Sequence, residues 1–476
     1  MGGRIVVLGA GPIGLAASML LAREGHDVTV LEKDPHEPPD VGADAWHNWE
    51  RSGVAQFRLG HYMQARLRHL LDAELPEVRD QLAAWGGVRH SILHGFLQGL
   101  SDGSPRPDDD RFETISARRP VLESAFARVA ENTHGVTVNR GVAVEGLIAN
   151  GSMEDGIPHV TGVRTRDGDE IAADLVIDAM GRKSKFVDWV SAIGARPPYE
   201  EAFDAGFAYY SRHYRSREGT LPEVRGPLLT FLSTISLVSL PGDNGTYVIV
   251  IVGSSGDMPL KVLRRNEKYE RVLRSIPHVA HWVDGEPLGD VAPMAGVADR
   301  YRSFVLDGRP VVTGLVAVGD AWACTNPQAG RGVSTGMAHA IALRDVVREN
   351  LDDPMRLAIE FDQLTEERCA PWYRFQVVQD RDRHTAVQAA IEGRPPSGPD
   401  PLNPVMQMVS AFRVAAQYDP DVARAFVEVV SCLAHPADVL GRPGMMDKVL
   451  AAAADRQPKA PPGPTREELL ALLDSP

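Results

Sequence analysis

The feature that most restricts the fold is a glycine-rich segment directly after the first apolar run. Arg4 to Leu8 predicts a strand, Gly9-Ala-Gly-Pro-Ile-Gly14 follows, and Leu15 to Glu24 predicts a helix. The first glycine permits a tight turn, the second lets a pyrophosphate approach the backbone, and the third lets the helix pack against the strand. A second strand, Val28 to Leu31, completes a βαβ unit, so the sequence predicts a dinucleotide-binding domain.

An acidic residue stands at the end of the second strand. Glu32 lies where a carboxylate accepts hydrogen bonds from the ribose hydroxyls of a dinucleotide, and Lys33 follows it. An acid at this position favours an unphosphorylated ribose, and so FAD or NAD over NADP.

Two segments near residue 320 carry a second signal. Val318-Gly-Asp-Ala321 ends a predicted strand, and Asn326-Pro-Gln-Ala-Gly-Arg-Gly-Val333 leads into a predicted helix. They resemble the GD motif and downstream glycine turn of the FAD-dependent monooxygenases, a class that includes aromatic hydroxylases, squalene-type epoxidases, styrene monooxygenases and geranylgeranyl reductases. The resemblance implies that Asp320 hydrogen-bonds the ribityl chain of FAD, and that Pro327 to Gly332 brings backbone and a helix N-terminus to the isoalloxazine. Such a terminus stabilises negative charge on reduced flavin.

A third segment, Asp178-Ala-Met-Gly181-Arg-Lys-Ser184, resembles the middle motif of this class in its epoxidase and reductase form. By the same resemblance, Arg119 approaches FAD, Val144 lies on the strand that brackets the adenine, and Arg51 lies in a flavin-contacting loop. A surface arginine and a core valine are the ordinary alternatives for Arg119 and Val144. The predicted cofactor-binding residues are Gly9, Gly11, Pro12, Ile13, Gly14, Glu32, Lys33, Arg51, Arg119, Val144, Asp178, Gly181, Gly319, Asp320, Pro327, Gly330, Arg331, Gly332 and Val333.

The order of elements predicts an α/β protein with a three-layer, Rossmann-type FAD-binding domain, an antiparallel β-sheet substrate domain and a C-terminal helical region. The FAD-binding domain is discontinuous, comprising residues 1–90, 111–190 and 291–350. Residues 91–110 and 191–290 form the substrate domain, because 203–290 is rich in β-branched and aromatic residues. Residues 351–476 predict only helices, and residues 56–83 also predict a helix.

Composition excludes several classes of protein. A net charge of -14 leaves no basic surplus for nucleic acid. Three cysteines without CxxC spacing fit neither a disulfide framework nor structural zinc, and we expect no metal site. No apolar run approaches the roughly 20 residues that span a bilayer. We therefore expect a cytoplasmic protein with no stable membrane insertion.

The substrate pocket is less defined in the sequence. Residues 207–214 form a predicted strand whose alternate side chains face the flavin, but the pattern does not show which set does so. Candidate pocket residues are Tyr210, Arg212, Tyr214, Trp322 and Asn326. No catalytic acid, base or nucleophile motif is present, as expected where the cofactor carries the chemistry.

The resemblance implies an FAD-dependent oxidoreductase, a monooxygenase that hydroxylates or epoxidises a mostly apolar small molecule through a flavin C4a-(hydro)peroxide, in specialised metabolism. A reductase of the geranylgeranyl reductase type and a non-catalytic FAD-binding protein are the alternatives. We expect O2 and a small-molecule substrate as partners, with NAD(P)H as the electron source, direct or through a separate flavin reductase. One dinucleotide fingerprint, and the replacement of a small polar residue by Met180, favour the separate reductase.

Overall fold

A computed structural model describes residues 2–150, 156–395 and 404–475. Its strands are β1 (Arg4–Leu8), β2 (Asp27–Glu32), β3 (Val88–Ser91), β4 (Glu113–Ser116), β5 (Val136–Arg140), β6 (Val144–Asn150), β7 (His159–Thr165), β8 (Glu170–Ala172), β9 (Leu175–Asp178), β10 (Tyr199–Asp204), β11 (Phe207–Arg215), β12 (Leu229–Phe231), β13 (Ile235–Pro241), β14 (Thr246–Ser254), β15 (Glu286–Pro287), β16 (Ala292–Ala295), β17 (Ala298–Ser303), β18 (Val305–Leu306), β19 (Arg309–Pro310), β20 (Leu315–Ala317) and β21 (Ala323–Cys324). Its helices are α1 (Pro12–Arg23), α2 (Ala45–Asn48), α3 (Ala65–Glu74), α4 (Pro76–Ala84), α5 (Leu93–Leu97), α6 (Arg119–Glu131), α7 (Phe186–Ala192), α8 (Asn266–Arg274), α9 (Gly332–Asn350), α10 (Pro354–Arg368), α11 (Ala370–Ile391), α12 (Pro404–Ala415), α13 (Pro420–Val430), α14 (Pro436–Leu440), α15 (Met445–Ala453) and α16 (Arg466–Asp474).

A parallel sheet of five strands, in the order β20-β9-β1-β2-β5, forms the centre of the molecule. Side chains of β1 alternate between its two faces. Ile5 and Val7 pack beneath α1, α6 and α9, whereas Val6 and Leu8 pack against the small antiparallel sheet β6-β7-β8. Because both faces are covered, the parallel strands are almost continuously apolar. The three layers confirm the predicted Rossmann-type fold.

The second large sheet is antiparallel, in the order β12-β13-β14-β11-β15, with β16 also pairing to β11. The strands β13 and β14 are joined by the turn at 242–245, which has the sequence Gly-Asp-Asn-Gly. The sheet packs against α8 and the segment 258–264 in a separate hydrophobic core. Residues Ile92, Leu93 and Leu97 join this core, although they are distant from the sheet in sequence. The predicted antiparallel sheet is confirmed.

The described residues beyond 350 form helices, as predicted. Cys369 separates α10 from α11. Pro371 lies in the first turn of α11, where a backbone N–H would have no partner within the helix, so the missing N–H of proline breaks no hydrogen bond. Thr465 and Glu468 form a capping box at the start of α16. None of the helices in the described parts of the chain is long and apolar enough to cross a membrane.

Two predicted helices have different bounds. Residues 56–64 are not helical, and the segment predicted at 56–83 is two helices, α3 and α4. Pro76 causes the break, because it disfavours helical geometry at Leu75 and starts a new helix. Residues 56–64 instead pack on the turn at 327–332, where Gln64 Nε2 donates to the carbonyl of Ala329 at 2.6 Å. Helix α1 begins at Pro12 rather than Leu15, so Gly14 lies inside its first turn.

A buried ion pair joins the parallel-sheet layer to the antiparallel sheet. Arg118, directly before α6, donates from its backbone N–H and Nε to Asp243 Oδ1 at 2.8 and 3.0 Å, and from Nη2 to Oδ2 at 2.7 Å. Asp243 lies in the turn between β13 and β14, and the two side chains are 3% and 0% exposed. Burial alone would raise the pKa of Asp243, but the hydrogen bonds and charge of Arg118 outweigh it and hold that pKa below its ordinary value.

We predict that Asp243→Ala lowers the free energy of unfolding by about 3–5 kcal/mol, because Arg118 is left buried without its partner. Since folding depresses this pKa, the contribution is present above the unfolded value of about 3.9 and is lost as pH falls through the folded value. Urea denaturation at neutral and acidic pH measures both effects. The matched control is Asp40→Ala, which removes the exposed partner of Arg128 and should cost less than about 1 kcal/mol. Equal losses in the two variants would contradict the prediction.

Candidate functional site

The turn after β1 has the geometry expected of a pyrophosphate-binding loop. Gly9 has a φ of +103°, and a Cβ there would lie 2.9 Å from the carbonyl oxygen of Ala179. A Cβ on Gly14 would lie 2.1 Å from the carbonyl oxygen of Gly9, so both positions require glycine. A Cβ on Gly11 would meet nothing within 4 Å. The space beside Gly11, at the N-terminus of α1, is therefore open to a phosphate group.

Glu32 is the centre of a buried charged network. Its Oε2 accepts from the backbone N–H of Ala10 at 3.0 Å and from Arg51, and its Oε1 accepts from the backbone N–H of Asp34 at 2.9 Å. Arg51 also donates to the carbonyl of Ala10 at 3.0 Å and to Glu123 Oε2 at 2.6 Å. The predicted ribose-binding carboxylate is thus held against the glycine loop by Arg51.

Arg119 joins the same network through Glu123, to which it donates at 2.6 Å. Two arginines and two glutamates thus balance one another, which makes their burial tolerable. Burial would lower the pKa of Arg51, but Glu123 and Glu32 outweigh it, and the guanidinium stays charged. Sequence reasoning did not name Glu123 as a site residue, although its spacing from Arg119 on one helix was a usable signal.

The other N-terminal residues of the predicted set have different surroundings. Pro12 starts α1, and Ile13 lies against Gly319, where a Cβ would be 3.3 Å from its side chain. Lys33 is exposed beside Gly53. Val144 starts β6 and packs at the edge of a hydrophobic core, while the nearby N–H of Val142 donates to the carbonyl of Glu32. The adenine-bracketing role of Val144 stays a prediction.

The middle motif follows β9 and is fixed by its own aspartate. Asp178 is fully buried, and its carboxylate accepts from the backbone N–H of Met180 at 2.9 Å and from the hydroxyl of Ser184 at 2.5 Å. Burial raises the pKa of Asp178 above its ordinary value. These bonds hold Gly181, at a φ of +67°, beside Asp320. In the structure, Asp178 therefore stabilises the turn at 178–184, and Gly181 is the residue of this turn that faces Asp320.

The Gly319-Asp320 turn and the glycine turn after it meet at the N-terminus of α9. A Cβ on Gly332 would have one neighbour within 4 Å, Asp320 Oδ1 at 3.9 Å. Gly330 has a φ of +64°, and a Cβ there would lie 2.9 Å from Tyr62, so this glycine is required by packing. Pro327 starts the turn, Arg331 is buried before α9, and Val333 enters the core. Open space above Gly332 and Asp320 therefore faces the positive end of a long helix.

The residues at this edge of the sheet fit FAD. The carboxyl ends of β1, β2, β9 and β20 bring the predicted residues to one side of the parallel sheet. Backbone at Gly11, Gly181 and Gly332 is open to a ligand, because a Cβ at each would meet nothing closer than 3.9 Å. The described residues contain no group of three metal-ligating side chains.

The C-terminal region contributes to the same site. Trp372, Tyr373 and Gln376 of α11 line a small pocket together with Asp320 and Gly332. Trp322, a predicted pocket residue, also lines it and packs edge-on against Tyr301 and His339. No motif in the sequence pointed to α11.

The structure shows which side chains of β11 share a face. Arg212 pairs with Glu270 of α8 at 2.5 Å, and Tyr214 stacks on Tyr247 of the neighbouring strand at 5.7 Å between ring centroids. Tyr210 shares that face, because alternate residues of a strand point to the same side. On the other face, Tyr209 donates to Asn326 Oδ1. Tyr210, Arg212 and Tyr214 are therefore turned away from the side of β11 that carries Asn326.

Asn326 is surrounded by a buried polar network that includes two carboxyls. Its backbone N–H donates to Asp299 Oδ1 at 2.6 Å, and its Nδ2 donates to Asp380 Oδ1 at 3.0 Å. Gln376 donates to both oxygens of Asp380, at 2.9 and 3.0 Å, and accepts from Arg331 at 2.5 Å. Burial raises the pKa of Asp380 to about 7, and also raises that of Asp299.

The chain is similar to known flavoproteins in part of its sequence and in its fold. Residues 4–98 match the family described as FAD dependent oxidoreductase. The protein Rv3254 of Mycobacterium tuberculosis is 27% identical over 447 residues, which cover 90% of this chain and 89% of that protein. PqsL, a probable FAD-dependent monooxygenase from Pseudomonas aeruginosa, has a similar fold with a TM-score of 0.58 and 16% identity over 82% of this chain and 96% of its own. A flavoprotein/dehydrogenase from Cytophaga hutchinsonii also has a TM-score of 0.58, with 18% identity over 95% of this chain and 98% of its own.

We predict that Gly332→Val leaves the fold intact and weakens FAD binding by at least about tenfold, which corresponds to about 1.4 kcal/mol. The Cβ of the new side chain meets no protein atom closer than 3.9 Å, and the valine occupies the open space beside Asp320. Flavin fluorescence measures the affinity, and circular dichroism measures the fold. Gly256→Val is the control, because it adds the same side chain at an exposed turn in the antiparallel-sheet region. Unchanged FAD affinity in Gly332→Val would show that the cofactor lies elsewhere.

Proposed function

We propose that this chain, an FAD-dependent oxidoreductase by its N-terminal family match and its fold, is a monooxygenase that hydroxylates or epoxidises a mostly apolar small molecule. The observation that supports the proposal is the small pocket that Trp372 and Tyr373 of α11 line together with Asp320 and Gly332. An apolar cover beside the predicted flavin turn suits a reaction that must exclude water. The similarity in fold to PqsL, a probable FAD-dependent monooxygenase, supports the same class.

The chain supplies binding, orientation and electrostatics for this reaction. The loop Gly9 to Gly14 and the N-terminus of α1 bind the pyrophosphate, and Glu32 is placed to accept from the ribose. Asp320 would hold the ribityl chain of bound FAD, and the N-terminus of α9 would stabilise negative charge on the reduced cofactor. FAD, when bound and reduced, supplies the electrons that activate O2. Trp322, Trp372 and Tyr373 keep water from the reacting atoms.

The second candidate is an FAD-dependent reductase, which the similarity in fold to a flavoprotein/dehydrogenase favours. It needs the same cofactor site and the same dry pocket, and differs in requiring no O2. A non-catalytic FAD-binding protein is the third candidate. Measuring whether turnover consumes O2 therefore distinguishes the monooxygenase from the reductase and from the non-catalytic protein.

We predict that the reduced holoprotein inserts one atom of labelled O2 into an apolar aromatic or alkene substrate, with O2 uptake that rises when the substrate is added. A panel of such compounds, product mass spectrometry and an oxygen electrode make the measurement. Asp320→Ala, which removes the predicted ribityl contact, should lower the turnover by at least about tenfold. A product that gains hydrogen without oxygen would identify the reductase. Oxidation of the flavin that no compound accelerates would favour the non-catalytic protein.

We also predict that NADH and NADPH alone reduce the bound flavin slowly, and that a separate flavin reductase restores rapid turnover. The described residues contain one parallel sheet, and the region 203–290, where a nicotinamide domain would be inserted, is mainly antiparallel. It lacks the strand–glycine turn–helix unit that cradles a second pyrophosphate. Anaerobic stopped-flow mixing, with and without substrate, measures the reduction rate. Bleaching of the flavin band at the catalytic rate without a reductase would contradict the prediction.

A further inference from the structure

One buried acid near the predicted flavin turn has no role in the proposed function. Asp380 lies on α11, far from the turn in sequence, and is 4% exposed. Its carboxyl accepts from Asn326 Nδ2 and Gln376 Nε2, both of which are neutral donors. Asn326 precedes Pro327 to Ala329 and caps that short helical turn by accepting from the backbone N–H of Gln328 at 3.1 Å. Asp380 is therefore one residue removed from the turn that we place against the flavin.

The charged and titratable groups that face Asp380 come from three other elements. Asp299 on β17 accepts from the backbone of the same Asn326, and Tyr209 on β11 donates to the side chain of Asn326. Arg331 reaches Asp380 through Gln376. Among the described residues Arg331 makes no direct ion pair with Asp380, and the positive charges that act on Asp299 are those of Arg182 and Arg381.

The hydrogen bonds around the second carboxyl are incomplete. Asp299 Oδ2 is buried and has no hydrogen-bond partner among the described residues. A buried carboxylate oxygen without a donor is costly, and two buried carboxylates around one asparagine repel each other. A proton held by the pair removes one negative charge and so reduces both costs. The raised pKa values of Asp380 and Asp299 agree with this geometry.

We propose that Asp380, in concert with Asp299, is a positioning residue that holds one proton beside the flavin turn at neutral pH and exchanges it with solvent when the charge of the site changes. The inference rests on the FAD site of the proposed function and is independent of oxygen insertion. When an external reductant delivers two electrons to the site, the added negative charge increases the fraction of Asp380 that is protonated, and the additional proton comes from solvent. When the electrons leave, the carboxyl returns that proton to solvent.

The midpoint potential of the bound flavin tests the proposal directly. Dithionite titration with mediator dyes, from about pH 5 to about pH 9, measures the potential of the holoprotein. We expect the wild-type potential to change its slope against pH near pH 7, the value to which burial raises the pKa of Asp380. Asp380→Asn has nearly the same shape and carries no proton to exchange, so this change of slope should be absent. A variant that keeps the change of slope would overturn the proposal.

Asp382→Asn is the matched control, because it removes the same charge from the same helix at a side chain that is not part of the network. It should keep the wild-type profile. Asp299→Asn removes the neighbouring like charge and should move the change of slope to lower pH. A change of slope that is lost in Asp382→Asn, or that moves to higher pH in Asp299→Asn, would contradict the assignment.

Thermal unfolding without added flavin gives an independent measurement. Because folding raises the pKa of Asp380 from 3.8 to about 7, wild-type stability falls as pH rises between these two values. Asp380→Asn has no carboxyl at this position and should not lose stability in this way. The difference between its melting temperature and that of the wild type should therefore increase from about pH 4 to about pH 8. A constant difference across this range would show that Asp380 does not hold the proton. This measurement tests the protonation of Asp380 whether or not the protein inserts oxygen.

Discussion

The parallel alignment of five strands is the constraint on which the candidate site depends. Parallel strands deliver their carboxyl ends to one edge of a sheet, so residues far apart in sequence meet there. The order β20-β9-β1-β2-β5 brings Asp320, Gly181 and Gly9 to this edge from three successive strands. Apolar layers on both faces keep the strands in register. The relative positions of the site residues are therefore fixed by that packing.

The fold could be predicted to the extent that its signals are local. The glycine loop and the apolar strand Arg4–Leu8 before it carry their patterns within a few residues, and both are where we expected them. Segment 56–64 has a helical composition but forms turns at 56–59 and no helix. Its conformation depends on contacts with residues 327–332, among them Tyr62 against Gly330 and Gln64 against Ala329. Such tertiary contacts override the local helix propensity, and a local sequence pattern does not reveal them.

The candidate site divides in the same way. Glycines that face open space, such as Gly11 and Gly332, were found because their motifs are contiguous. The orientation of β11 was not readable, because residues 207–214 are all buried and the strand shows no alternation of polar and apolar side chains. Asp380 was missed for another reason, since it contacts Asn326 across 54 residues from a helix without any recognised motif.

Helix α11 connects two properties that the proposed chemistry needs together. Its Trp372 and Tyr373 give the pocket an apolar cover, while Gln376 and Asp380, on following turns of the same helix, reach the polar side of the flavin turn. A cover that excludes water also lowers the effective dielectric constant around the carboxyls. The apolar residues therefore increase the cost of an unneutralised charge at Asp299 and Asp380, and so favour the shared proton. The proposed dry pocket and the proposed proton on Asp380 thus depend on the same packing of α11, and a change that admits water to the pocket should weaken the retention of the proton.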